Sequence, residues 1–150
     1  DEWKVRPASG GALSDFPKVH ALLKEAHRQF GKNGKRQGRR ALEPRICVTC
    51  REYLPGSSLK FHVDRMRWYS DEVYNCVLEN TSPDVLEYFK VGSPAGQFLR
   101  WLPDEQIGAC YRQTGEARFG WFHGVPSLRC GKRYSVSWRW FRDEVEIEDE

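Results

Sequence analysis

The sequence predicts a mainly β domain, a sandwich or barrel with one amphipathic helix packed on an outer face. Three observations carry that expectation. Past residue 44 the chain falls into short runs of β-branched and aromatic residues broken by turn residues. Helical apolar spacing occurs only near the front, and 150 residues with 39% hydrophobic content suit a single packed core. No internal repeat is present.

The helix is expected over residues 16–30. Phe16, Val19, Leu22, Leu23, Ala26 and Phe30 recur at helical spacing, Ser14 or Asp15 can cap the start, and Gly31 ends the run. His20 and His27 share one face of it and read as surface or packing residues. The strands are expected at 45–53, 59–64, 74–79, 85–91, 98–102, 108–111, 121–125 and 132–141. A Pro55-Gly56 turn separates the first two. Residues 1–44 thus read as an arm, helix and basic link, 45–142 as the β core, and 143–150 as an acidic tail.

The net charge of +3 hides an asymmetry. Arg28, Lys32, Lys35, Arg36, Arg39 and Arg40 stand in residues 28–40 with no acid. Asp143, Glu144, Glu146, Glu148, Asp149 and Glu150 crowd the end. A basic body suits a polyanionic partner, although a solvated charged face explains the same run equally well. No apolar stretch approaches the ~20 residues of a membrane span, so no membrane partner is expected, and no secretory leader is seen. The chain begins at Asp1 and reads as a processed or excised piece. Five cysteines without regular spacing argue against a disulfide framework, so they read as ordinary thiols of an intracellular protein, cytoplasmic or nuclear. Cys47 and Cys50 form a CxxC, but residues three apart on a strand point to opposite faces and are poorly placed to share zinc.

The chemistry begins with His62-Val63-Asp64. Positions i and i+2 of a strand share a face, so an imidazole and a carboxylate point the same way. Two histidines and one carboxylate make the facial triad that binds Fe(II) and leaves open positions. HxD alone is weak and needs a third ligand. Of the four histidines, His20 and His27 lie on the helix, which leaves His123 in Trp121-Phe-His-Gly-Val125. Ten residues later, Arg133-Tyr-Ser-Val-Ser-Trp-Arg139 puts Arg133, Ser135 and Arg139 on one strand face. The two guanidiniums sit ~20 Å apart along the backbone and can lean together on a short diacid, which their planar forks bind bidentately. An outward face paired with surface acids is the plainer alternative for such arginines.

Three segments in order resemble the AlkB family of 2-oxoglutarate dioxygenases. They are Tyr53-Leu-Pro-Gly-Ser-Ser-Leu-Lys-Phe-His-Val-Asp64, Trp121-Phe-His-Gly-Val125 and Arg133-Tyr-Ser-Val-Ser-Trp-Arg139. The family pattern is a Tyr-x-Pro-Gly turn nine residues before the first histidine, then HxD, H-G-[VI] and R-x-[NS]-x-x-x-R. The resemblance covers roughly residues 45–141 and implies a double-stranded β-helix, or jelly roll. It implies Fe(II) on His62, Asp64 and His123. It also implies that Arg133, helped by Tyr53 and Ser135, holds the distal carboxylate of 2-oxoglutarate, with Arg139 nearer the chelating end. Consuming O2, the co-substrate would give succinate, CO2 and an oxidant that attacks an unactivated C–H bond, the protein supplying orientation and a dry pocket.

The sequence departs from the pattern at three places. Position 51, commonly Asn in the family, is Arg51, which is expected to reach co-substrate or substrate. Met66 stands where repair-type members carry an acid, and little more than a helix precedes the β core. Trp68 and Tyr69 read as a stacking platform at the pocket mouth, with core or rim packing the more common fate of such a pair. Lys35, Arg36, Arg39 and Arg40 read as phosphate contacts. The leading expectation is a monomeric enzyme that oxidatively demethylates N-methyl groups on RNA or single-stranded DNA. The alternatives are an oxygenase of a protein side chain or small molecule, and a silent binding module of the same fold.

Overall fold

The computed structural model describes residues 13–33, 46–64, 68–91 and 98–142, with only the backbone at 31–33, 91 and 98. It divides into two units, Asp1–Pro44 and Arg45–Glu150. The basic residues Lys35, Arg36, Arg39 and Arg40, the tail 143–150 and Met66 lie outside the described residues.

In the first unit a 3-10 turn, Leu13–Asp15, leads into helix α1, Pro17–Asn33. Proline suits this first position because its missing N–H would have no helical acceptor there. Leu23, Ala26 and His27 are buried, with Val19, Leu22 and Phe30 half-buried, so one stripe at three- and four-residue spacing is covered. Phe16, expected on that stripe, instead precedes the helix and is exposed, its carbonyl accepting from the His20 N–H at 2.9 Å. The helix also runs on past Gly31, because glycine costs only about 1 kcal/mol against alanine inside a helix and does not by itself stop one.

Among the described residues the second unit holds eight antiparallel strands. They are β1 (Ile46–Tyr53), β2 (Leu59–His62), β3 (Val73–Asn80), β4 (Glu87–Val91), β5 (Phe98–Trp101), β6 (Cys110–Gln113), β7 (Phe122–Val125) and β8 (Arg133–Trp140). One sheet has the order β1-β8-β3-β6 and the other β2-β7-β4-β5. The chain therefore crosses from one sheet to the other at every step but β4 to β5, and β1 pairs with β8, β2 with β7, β3 with β6 and β4 with β5, which is the winding of a double-stranded β-helix. A five-residue helix, α2 (Gly115–Phe119), lies between β6 and β7 and was not expected.

Local chemistry fixes the joints. In Leu54-Pro55-Gly56-Ser57 the Ser57 N–H donates to the Leu54 carbonyl at 2.8 Å, and Gly56 takes φ 88°. Proline followed by glycine at positive φ is the composition of a type II turn. At Gly124 a Cβ would sit 2.6 Å from the Leu59 carbonyl oxygen, so only glycine lets β7 press this close to β2.

Alternation then sorts the two faces of the first sheet. Tyr53, Arg133, Ser135 and Val77 share the face turned to the second sheet, where Tyr53 meets Tyr88, Val125, Leu86 and Leu128 in a buried cluster. Fully burying each such aliphatic side chain contributes about 1.5–3 kcal/mol. Trp138, Trp140 and Tyr74 are buried on the opposite face, alternating with Arg139, with Tyr74 stacked on Trp138 at 5.6 Å.

The cysteine expectation is corrected. Cys76 and Cys110 are register partners on β3 and β6 with Cα atoms 4.2 Å apart, and they form a disulfide. That spacing belongs to the closer, non-hydrogen-bonded kind of antiparallel pair, and sequence spacing does not reveal such a pairing. Cys47, Cys50 and Cys130 are free. Among the described residues no helix is long and apolar enough to cross a membrane.

Candidate metal centre

His62 ends β2 and His123 lies on β7 as its direct cross-strand partner, which brings the ring centroids to 4.5 Å. Asp64 lies just past the end of β2, its backbone N–H donating to the Arg118 carbonyl at 3.3 Å. The ligand atoms of His62, Asp64 and His123 all lie within 4.8 Å of one another. Asp64 Oδ1 is 3.4 Å from His62 Nε2 and 3.5 Å from His123 Nε2, so both imidazoles aim the same nitrogen at one carboxylate oxygen.

Neighbouring groups set that aim. His62 Nδ1 is 2.7 Å from the Lys60 carbonyl oxygen, and His123 Nδ1 is 3.3 Å from the Trp121 carbonyl oxygen. Carbonyls only accept, so His62 Nδ1 carries the hydrogen and leaves its Nε2 lone pair to a metal, while His123 Nδ1 meets both the Trp121 carbonyl and the Gln113 amide nitrogen. Gln113 lies 3.4 Å from His123 Nδ1, and the Tyr88 ring stacks over His123 at 5.4 Å. Asp64 is fixed from behind by Arg118 of α2, whose Nε donates to Oδ2 at 2.9 Å and whose side chain is 0% exposed. Arg118 also donates to the Ser70 carbonyl. Burial pushes the Asp64 carboxyl up, but the flanking His123 and His62 imidazoles and the Arg118 guanidinium outweigh it and hold the group well below the ordinary carboxylate range. The His62 side chain remains 41% exposed, so the centre opens toward solvent on that side.

Two nitrogens and one oxygen on converging side chains suit Fe(II) with positions left open. This fit rests on the donor set and on the orientation fixed by Lys60, Trp121 and Arg118.

The arginines divide. Arg133 is buried and grips Glu105 bidentately, Nε to Oε2 and Nη2 to Oε1 both at 2.6 Å, while Nη1 donates to Ser135 Oγ at 2.9 Å. Its guanidinium lies 5.3 Å from the Tyr53 ring centroid. Tyr53, Arg133 and Ser135 are thus brought together, but with a protein carboxylate already in their midst. Arg139 lies 3.7 Å above the Tyr69 ring, and Arg51 Nη1 donates to Ser137 Oγ at 2.8 Å. Tyr69 is bridged to Phe141 and its ring face is covered by Arg139, while Trp68 stays exposed.

Several residues of the site escaped the sequence reading. Glu105 and Arg118 lie in polar surroundings where charged residues normally face solvent. Trp101, on edge strand β5, is 51% exposed and packs at 5.1 Å against Tyr88, which in turn covers His123. Burial raises the phenols of Tyr53, Tyr88 and Tyr111 above their ordinary range, so all three stay protonated near the pocket.

No protein-family model matches the chain, and no curated protein is similar enough to count as a relative. Solved structures do resemble it. A prolyl-4-hydroxylase from Pseudomonas putida superposes with a TM-score of 0.50 at 15% identity over 93% of this chain and 70% of its own. An oxidoreductase of the 2OG-Fe(II) oxygenase family from Burkholderia pseudomallei gives 0.51 at 16% identity over 83% of this chain. The chain spans 55% of that second protein's length. The chain therefore has the jelly-roll fold found in 2-oxoglutarate- and iron-dependent oxygenases.

Proposed function

We propose that this chain is an Fe(II)- and 2-oxoglutarate-dependent oxygenase, with iron held by His62, Asp64 and His123. The observation that carries the reading is the convergence of three ligand atoms within 4.8 Å, with both Nε2 atoms turned to the same Asp64 oxygen. Jelly-roll likeness to oxygenases of this kind supports it. Bound iron with 2-oxoglutarate and O2 would supply the oxidising chemistry. The chain's own residues bind, orient and shield. Arg118 leaves Asp64 Oδ1 free for a metal, the Lys60 and Trp121 carbonyls orient the imidazoles, and Tyr88 walls the pocket beside His123. The inner face of the β1-β8-β3-β6 sheet, which carries Arg51, Arg133 and Arg139, would hold the co-substrate.

The finer reading is oxidative removal of an N-methyl group from RNA or single-stranded DNA, whose hydroxylated product sheds formaldehyde. Its support is the AlkB-like order of motifs and the basic run 28–40. The fold likeness to a prolyl-4-hydroxylase favours hydroxylation of a protein side chain instead. Succinate release separates them. The purified chain with iron, 2-oxoglutarate and ascorbate is offered N-methylated RNA and DNA oligonucleotides, then proline-rich peptides. Stimulation by the oligonucleotides with formaldehyde supports demethylation, and stimulation by peptides alone overturns it. Absence of succinate under every condition, with iron bound, overturns the oxygenase reading.

A further inference from the structure

The arginine that the motif order assigns to the co-substrate is already neutralised. Arg133 and Glu105 are 4% and 1% exposed, and their two parallel contacts are both 2.6 Å. Glu105 is itself anchored, accepting from the Leu86 N–H at 3.2 Å and lying 3.4 Å from the Tyr111 hydroxyl. A second carboxylate arriving at Arg133 would be buried beside the first, and like charges at such range disfavour each other strongly. Pulling Glu105 away would strand a buried charge.

Other groups on the same face lack an anion. Along the inner face, register sets Cys47, Arg139, Val73 and Gln113 in one row, then Thr49, Ser137, Asn75 and Tyr111 in the next. Arg51, Ser135 and Val77 follow, then Tyr53, Arg133 and Asn80. The first row touches the metal centre, because Gln113 contacts His123. Rows are about 7 Å apart along a strand, so the Arg133 guanidinium, tipped onto Ser135 Oγ, still stands two rows, about 14 Å, from that row. The carbon chain of 2-oxoglutarate, four C–C bonds, extends about 5 Å. It reaches the second row comfortably. There Arg51 tips its guanidinium onto Ser137 Oγ at 2.8 Å and pairs with no carboxylate among the described residues. Asn75, beside Ser137, has a buried Nδ2 with no hydrogen-bond partner. A charged donor, an amide donor and a hydroxyl thus face one spot one row from the metal.

We propose that Arg51, with Asn75 Nδ2 and Ser137 Oγ, holds the distal carboxylate of the co-substrate, while Glu105 retires Arg133 to a structural pair. This rests on the oxygenase reading and names its dicarboxylate subsite. Arg51 supplies the charge, and Asn75 gains the acceptor it otherwise lacks. Cys47, Thr49 and Tyr53, its neighbours along β1, bring no negative charge to the spot.

The test is calorimetric titration of the Mn(II)-loaded chain with 2-oxoglutarate, in the absence of iron turnover. Arg51→Met is expected to weaken binding at least thirtyfold and Asn75→Ala three- to tenfold. The paired change Arg133→Met with Glu105→Gln removes both charges together, leaves none stranded, and should shift affinity less than threefold. Glu105→Gln alone should do likewise. Mn(II) affinity is measured in each variant, so that a lost fold is not read as a lost subsite. Unchanged affinity in Arg51→Met, loss of binding in the paired variant, or a tenfold gain in Glu105→Gln would each assign the carboxylate to Arg133 and overturn the inference. A wild-type chain that binds Mn(II) but no 2-oxoglutarate overturns the oxygenase reading itself, and the inference with it.

Discussion

Arg118 and Asp64 form a buried pair in which Nε meets Oδ2 at 2.9 Å, leaving Oδ1 to the imidazoles of His62 and His123. The guanidinium thus chooses which carboxylate oxygen a metal would see. Arg118→Met should cost about 3–5 kcal/mol of stability, because it strands a buried carboxylate. It should also weaken metal binding about 10–100-fold, the usual effect of losing a group that orients a ligand. Arg118→Lys keeps the charge but not the planar fork, and should fall between. Urea unfolding and Mn(II) titration of the three proteins measure this, and an undiminished metal affinity in Arg118→Met would remove the orienting role.

Gly124 carries the second expectation. Its missing Cβ is what lets β7 lie against β2, since an added carbon would meet the Leu59 carbonyl at 2.6 Å and the Phe61 Cα at 3.0 Å. Gly124→Ala must push the strands apart at the pair that bears His62 and His123. Overpacking of this kind costs about 1–3 kcal/mol. Metal affinity should drop along with the urea midpoint. Loss of stability with metal binding intact would show that the two histidines tolerate the shift.

The disulfide predicts a response to reductant. Cys76 and Cys110 lie 34 residues apart in sequence, and closing a loop of that size stabilises by about 2–4 kcal/mol, chiefly by restricting the unfolded chain. Excess reductant should lower the denaturant midpoint by the corresponding amount, and Cys76→Ser with Cys110→Ser should reproduce it. Cys47→Ser and Cys130→Ser should not. Equal midpoints with and without reductant would mean that the two thiols are not joined.

Trp101 predicts a substrate effect. It stands half-exposed on the edge strand, packed on the Tyr88 ring that covers His123. Stacking of a base on such a ring is worth about 1–3 kcal/mol. Trp101→Ala should therefore raise KM for an oligonucleotide substrate severalfold or more, while substrate-free conversion of 2-oxoglutarate stays the same. A fall in that basal conversion with KM unchanged would make Trp101 part of the pocket wall rather than a substrate platform.

The strands and the grouping of His62, Asp64 and His123 were legible in the sequence because they follow local rules. Period-2 alternation places His62 and Asp64 on one face, turn residues bound each strand, and the four histidines leave His123 as the partner for them. What was not legible depends on register between distant segments. Nothing near Glu105 signals that it will meet Arg133, 28 residues on. Arg118 lies in a short polar run whose helix is too brief to show periodicity, yet it becomes fully buried. The Cys76–Cys110 bond follows from β3 pairing β6, which the cysteine spacing does not encode. Arg133 was read from its strand face and its motif, and neither reveals that Glu105 lies against it.

Metal stoichiometry tests the central claim most directly. Mn(II), as a stand-in for air-sensitive Fe(II), is titrated into the purified chain and followed by electron paramagnetic resonance. One tight site per chain is expected in the wild type. His123→Ala and His62→Ala should each lose it while keeping the wild-type far-ultraviolet circular dichroism. Tight binding of one Mn(II) by a folded His123→Ala chain would contradict the claim, because the metal would then be held by something other than His62, Asp64 and His123.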